Sequence, residues 1–217
     1  MKIGILGCGL MGGKLGVLFA QAGHDVIFSY SRRRTKLDDL VRRAGPTASA
    51  GTPAQAVAAA DIVLLAVHWS RVDDVLAQAG DMTGKTVVTC CVPLDASDSE
   101  LVVGHTDSGA EQIARKLPGA RVAAAFQTTP SEVFAEVFAV RDRPIKANCL
   151  LCADDAEARR AAETLISAIG FAPVDAGPLH MARYTEPFAL LTAQLAYGTA
   201  DGPDWAYRFG KLRYVIE

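Results

Sequence analysis

The chain has 217 residues, half of them hydrophobic, and a formal net charge of −2. That length buries a real core as one domain, or as one domain with a small appendage, and the even scatter of both charge signs excludes a nucleic-acid or membrane-surface binder. The opening Met1-Lys2-Ile3-Gly4-Ile5-Leu6-Gly7 is too short an apolar run, and too soon broken by glycines, for a signal sequence or a membrane span. A cytoplasmic protein that is not exported is therefore expected. Five cysteines, an odd number, all in or beside apolar runs, agree with reduced thiols.

Seven short apolar runs read as strands, at residues 2–6, 25–29, 62–67, 85–90, 121–125, 145–151 and 171–174. Between them the apolar spacing becomes helical. Residues 11–22 place Leu15, Leu18, Phe19 and Ala22 on one face and stop at Gly23, a residue suited to the position past a helix end. Thr35 with Asp38, Ser70 with Asp73 and Ser108 with Glu111 have capping-box spacing, and Thr52 precedes a proline at a first helical position. Residues 93–108 hold Asp95, Asp98, Glu100 and Asp107 with few apolar neighbours, which predicts a surface loop long enough to serve a site. Cys149 and Cys152 form a C-x-x-C, but three residues along a strand point to opposite faces, so these two and Cys90-Cys91 read as small buried hydrophobes. From residue 179 to 197 the pattern is an apolar helix that Pro187 kinks or splits, placed to cover the mouth of a cleft. Strands alternating with helices predict an α/β Rossmann fold: a doubly wound, mostly parallel sheet with a small C-terminal helical extension and its ligand at the carboxyl ends of the strands.

Gly7-Cys8-Gly9-Leu10-Met11-Gly12 is a G-x-G-x-x-G that follows an apolar strand and opens a helix. Gly7 permits the tight turn, Gly9 leaves room for a pyrophosphate, and Gly12 lets helix and strand pack closely, with the helix N-terminus, at Leu10 and Met11, offering amide donors. The end of the second strand decides the nucleotide. An NAD site places Asp or Glu there for the ribose 2′-hydroxyl, whereas this chain has Ser31 followed by Arg32-Arg33-Arg34. Three cations before a helix start are poorly placed against its dipole unless an anion sits among them. A 2′-phosphate is such an anion, with Arg32 offering a bidentate fork and Ser31 a further donor, so NADPH is the expected cofactor. A solvated basic turn is the alternative. Residues 1–125 are expected to form this NADP-binding unit and residues 126–217 its α/β continuation, with C-terminal helices making an acceptor pocket or dimer contact.

The run from Ile3 to Arg33 together with Ala66-Val67-His68-Trp69 resembles the NADPH-dependent reductases of the deazaflavin coenzyme F420. Asp175 to Leu179 and Ala182-Arg183-Tyr184-Thr185-Glu186 look like that family's C-terminal segments, so the resemblance covers most of the chain. It implies an oxidoreductase moving hydride between NADP(H) and a flavin-like or deazaflavin acceptor. One departure stands out: Gln127 follows Ala125-Phe126 where the family often has Asn.

In such a sheet the nicotinamide is expected near Val67, His68 and Trp69, near Cys91 to Leu94 with Pro93, and near Phe126, Gln127 and Thr128, with Ala66 a further cofactor contact. Hydride transfer between stacked rings needs no dedicated acid or base, and the sequence offers no catalytic dyad. His68 is the one candidate catalytic residue, for proton delivery or a ring carbonyl. It suits equally a bond to the nicotinamide ribose or a cap near Ser70. Trp69 stacks on a ring or packs a helix start. Arg183 and Glu186, three apart on a helix, read as a mutual ion pair. Arg141 and Arg143 either attract an anionic acceptor tail or flank an ordinary loop at Pro144. Leu190, Leu191, Leu195 and Tyr197 suit a homodimer seam or the domain core. Two alternatives stay open: an NADPH-sensing module without turnover, and a small-carbonyl or imine reductase, against which the short C-terminal region weighs. No metal, membrane or nucleic-acid partner is expected; the partner is a small-molecule hydride acceptor.

Overall fold

The computed structural model describes residues 1–200 and 202–210, so the last seven residues of the expected second segment lie outside the described residues. The strands are β1 (Lys2–Leu6), β2 (Asp25–Ser29), β3 (Ala48–Ala50), β4 (Ile62–Leu65), β5 (Thr86–Thr89), β6 (Arg121–Ala125), β7 (Asn148–Ala153) and β8 (Ala172–Asp175). The helices are α1 (Leu10–Gln21), α2 (Arg34–Ala44), α3 (Pro53–Ala59), α4 (Val72–Ala79), α5 (Gly109–Lys116), α6 (Phe134–Ala139), α7 (Ala156–Ala168) and α8 (Ala182–Tyr197). The strands form one sheet in the order β3-β2-β1-β4-β5-β6-β7-β8. Strands β1 to β6 are parallel, β7 runs antiparallel to β6, and β8 is parallel to β7. The reversal of chain order on either side of β1 makes the crevice at its carboxyl end a topological switch point.

The strands read as unbroken apolar runs because both faces of the sheet are covered. All four residues of β4 and of β5 are buried. Alternate residues feed two cores: Ile5, Leu64 and Val88 join Leu15, Phe19 and Phe28 on one face, while Leu6, Leu65 and Val87 join Val57, Val75 and Ile113 on the other. The first core carries a chain of edge-to-face rings through Phe19, Phe126, Phe134 and Phe171. Cys149 belongs to the first core and Cys152 to the second, so the C-x-x-C points both ways as its strand setting predicts. All five cysteines are free and buried. Among the described residues, no helix is long and apolar enough to cross a membrane.

Several sequence expectations are corrected. Strand β3 carries only Ala48, Ser49 and Ala50, too short and too weakly apolar to register as a run. Helix α2 starts at Arg34 with Arg33 as N-cap and no side-chain cap, so Thr35 lies inside it; the Ser31 hydroxyl turns back to the Arg33 carbonyl at 3.1 Å and brings the chain into the helix early. The cap expected of Ser70 belongs to His68, whose ring accepts the Ser70 amide at the start of a short 3-10 turn, Trp69–Arg71. Pro187 does not split α8, which runs unbroken with that residue exposed. By contrast Thr52 and Gln55 form the full reciprocal capping box, and Ser108 accepts the Glu111 amide at 3.2 Å. The long stretch 93–108 is a loop, pinned by one bridge between Leu94 and Leu101.

Close packing of α1 on the sheet depends on Gly16. A Cβ there would stand 2.3 Å from Cε1 of Phe28, whose ring is fully buried and has nowhere to go. Gly16→Ala is expected to cost roughly 1–3 kcal/mol by overpacking. Urea denaturation measures it; an unchanged midpoint would contradict this packing.

Candidate nucleotide site

The site is built where β1 turns into α1. Gly7 has φ +110°, and a Cβ on it would lie 2.3 Å from the Ala66 carbonyl oxygen. A Cβ on Gly12 would lie 2.0 Å from the Gly7 carbonyl oxygen, so both positions admit only glycine. Gly9 is different: nothing stands within 4 Å of where its Cβ would be, and it is exposed. The chain thus crosses tightly at Gly7 and Gly12 and leaves open space at Gly9. Helix α1, with Gly9 as its N-cap, has no side-chain cap and no acidic residue in its first turn; α3, α5 and α7 are capped by Thr52, Ser108 and Asp155, and α2, α4, α6 and α8 are not. The leading amides of a twelve-residue helix and its positive end are therefore free for an anion.

A cleft of about 710 Å³ opens beside this loop. It is lined by Gly7, Cys8 and Gly9, by Tyr30 to Arg33 with Lys36, by Ala66 to His68, and by Arg71, Asp74 and Gln78. Of the expected cofactor contacts, Gly7, Gly9, Ser31, Arg32, Arg33, Ala66, Val67 and His68 line it. Leu10, Met11 and Gly12 do not line it themselves but form the first turn of α1 beside it. Pro93 and Gln127 lie off this cleft: Pro93 packs on Gly109, and the Gln127 side chain donates to the Cys91 carbonyl at 2.7 Å.

Tyr30, Lys36, Arg71 and Asp74 were not singled out by the sequence. Tyr30 ends β2 in the left-handed region, φ +59°, and its hydroxyl reaches the Asp74 carboxylate on α4. Burial, then this hydrogen bond, push the Tyr30 phenol up to about 12, with Arg71 and Arg32 nearby acting the other way. The Tyr30 hydroxyl in turn holds the Asp74 carboxyl below its usual range. Nothing in the sequence marks a left-handed Tyr at a strand end.

His68 accepts the Ser70 amide on Nδ1 at 3.2 Å, which assigns its proton to Nε2. That nitrogen lies 3.2 Å from the Asp95 carbonyl oxygen and 3.1 Å from the Asp98 carboxylate. The ring therefore ties the turn after β4 to the long loop. The Asp95 carboxyl accepts from the Ser97 hydroxyl and from the Ser99 and Glu100 amides, bonds that pull it down to about 2. Trp69 is part-buried against the second core, as expected of a residue packing a helix start.

Further along the carboxyl edge, the expected Arg183 and Glu186 ion pair is absent. Arg183 forks onto Glu111 at 2.6 and 2.9 Å. Glu186 is buried and accepts the Gly109 and Ala110 amides at 2.9 and 3.0 Å, capping α5 from another helix. The i, i+3 spacing on α8 was legible, but partners contributed by α5 were not. Phe126, at φ +66°, turns the chain after β6, and the Thr128 hydroxyl beyond it is 2.5 Å from the Tyr207 hydroxyl. Arg141 lies 4.2 Å over the Phe138 ring, consistent with an ordinary loop role.

This fold with this cleft has the form of a dinucleotide-binding α/β domain. Residues 2–93 match the model of the family described as NADP oxidoreductase, coenzyme F420-dependent. An Arthrobacter sp. FB24 structure, described as a candidate F420-dependent NADP reductase, superposes with a TM-score of 0.85 at 25% identity, over 97% of this chain and 100% of that one. A hypothetical protein of Sinorhizobium meliloti is 30% identical over 84% of this chain and 87% of its own, with a TM-score of 0.73. Metalloreductase STEAP3 of Rattus norvegicus is 26% identical over 190 residues, 87% of this chain and 36% of that protein, so the chain spans about a third of this curated relative. Residues 2–93 thus belong to the family described as NADP oxidoreductase, coenzyme F420-dependent, and the chain is an NADP-dependent oxidoreductase.

Burial outweighs the two amide bonds and raises the Glu186 carboxyl from 4.5 to about 7, with the Glu111 charge adding to the rise. A carboxyl raised in the folded state stabilises fully below its unfolded value and loses that contribution as pH rises to the folded one. Stability is therefore expected to fall between pH 4.5 and about 7, and Glu186→Gln should flatten that slope. Thermal melts of both proteins across the window check it; parallel profiles would show that Glu186 does not titrate there.

Proposed function

We propose that the protein binds NADP(H) in preference to NAD(H) and passes hydride between it and a flavin-like or deazaflavin acceptor of the F420 type. The observation that carries the reading is the cleft itself, where an uncapped α1 N-terminus and an open Gly9 meet a wall made of Ser31, Arg32 and Arg33. The diphosphate takes the α1 amides and the 2′-phosphate takes the arginines. No carboxylate follows β2 to accept the 2′-hydroxyl bond that NAD offers.

Bound NADP(H) supplies the hydride chemistry at its nicotinamide ring. The chain's residues bind and orient: Ala66 and Val67 form the wall beyond Gly7, and His68, with its ring nitrogens engaged, fixes the turn that bears them. His68 is then a positioning residue rather than a proton donor. Pro93 and Gln127 sit along the edge toward the acceptor side, braced by the Cys91 carbonyl and Gly109. The family and the Arthrobacter relative support an acceptor of the F420 kind, and the rat relative's description as a metalloreductase makes ferric ion a second acceptor to try. Leu191 and Leu195 face outward on α8, which favours the homodimer seam among their two expected roles, while the Tyr197 hydroxyl donates to Glu132.

Two measurements test the reading. Replacing Arg32 and Arg33 with alanine is expected to weaken NADPH at least tenfold, the worth of one charge-assisted contact or more, while NADH changes little; equal losses would place the arginines elsewhere. Anaerobic mixing of NADPH with F420, FMN, a quinone and ferric citrate is expected to oxidise it with the deazaflavin or flavin. Tight NADPH binding with no oxidation by any of them would favour the sensing module.

A further inference from the structure

The proposed site accounts for Ser31, Arg32 and Arg33 on one wall of the cleft, but the opposite wall carries a cation it does not use. Arg71 closes the 3-10 turn after β4 and lines the same cleft. It is exposed and makes no ion pair among the described residues. The turns after β2 and β4 flank the end of β1, since the sheet order there is β2-β1-β4. Two strand spacings, about 10 Å, separate the walls, a distance that long side chains from both sides close together. Tyr30 spans this gap, its hydroxyl on Asp74 one turn beyond Arg71.

The charges also sort in one direction. Arg32, Arg33, Lys36 and Arg71 line the cleft, and Asp74 is the only acidic residue that does. Its Oδ2 accepts from both the Tyr30 hydroxyl and the Gln78 amide, 3.1 Å away. The one carboxylate already accepts two hydrogen bonds, and Arg71 acts on it only through space, without an ion pair among the described residues. A chain of net charge −2 keeps an unpaired cation opposite an arginine pair only at some cost unless an anion joins them.

We infer that Arg71 is a specificity-determining residue that reads the adenosine 2′-phosphate from the wall opposite Ser31, Arg32 and Arg33, with the Tyr30 and Asp74 pair holding that wall in place. The inference rests on the NADPH reading proposed above. The phosphate is then gripped from two sides of the cleft.

The test is a calorimetric titration of NADPH and NADH into wild type, Arg71→Ala, Arg71→Lys and the Arg32→Ala, Arg33→Ala double variant, each first shown to melt as wild type does. Arg71→Ala is expected to weaken NADPH roughly tenfold, one charge-assisted contact, and NADH by less than about twofold, with lysine restoring part of the loss. Equal losses for both nucleotides would put Arg71 on the diphosphate, and no loss for either would leave it in solvent; each overturns the inference. A wild type that takes both nucleotides equally would overturn the parent reading. If wild type prefers NADPH and the double variant loses that preference, the parent stands however Arg71 behaves.

Discussion

The site depends on one contact that only glycines allow: the chain at Gly7 and Gly12 lies against Ala66 and against itself more closely than any Cβ permits. That approach lets α1 start directly over the end of β1, with its first amides turned to the crevice rather than to a side-chain cap. Helices α3, α5 and α7 end exposed donors on Thr52, Ser108 and Asp155, while α2, α4, α6 and α8 are uncapped like α1 but do not start at the end of β1. A helix left uncapped at a switch point, beside Gly9 with nothing over it, has a built-in demand for an anion. The cationic turn after β2 and the unpaired Arg71 after β4 then widen that demand from a diphosphate to a group with a further phosphate.

The nucleotide half was legible because its physics is local. The glycine spacing, the strand before it and the arginines after the second strand all lie within 34 residues, and each acts through backbone sterics or charge that sequence carries directly. What escaped was set by tertiary partners. Tyr30 adopts its left-handed turn and finds Asp74 across the cleft, and Glu186 leaves its helical neighbour Arg183 for the amides of α5. Helix-face arithmetic identifies which residues can meet on one element, but a buried carboxylate goes to the strongest donors available, and here those are two unsatisfied amides of another helix.

The carboxyl edge beyond β5 is organised by the same kind of long-range bonding. Glu186 locks α8 to α5, Gln127 is held on Cys91, and the segment after α8 returns so that Tyr207 bonds both Thr128 and the Leu150 amide. Tyr207, Phe188 and Phe209 pack edge to face or tilted there. The reversal of β7 against β6 brings the start of β7 to the edge where β6 ends, so the C-terminal third of the chain braces the turn at Phe126. A parallel continuation would have carried those residues to the opposite edge.

The central claim is that a dinucleotide lies over the Gly7 to Gly12 turn with its phosphates on the α1 amides. Backbone amide chemical shifts recorded while NADPH is added test it most directly. The account predicts the largest changes at Gly9 to Gly12, followed by Ser31 to Arg33. Amides there that stay in place at millimolar NADPH would contradict it.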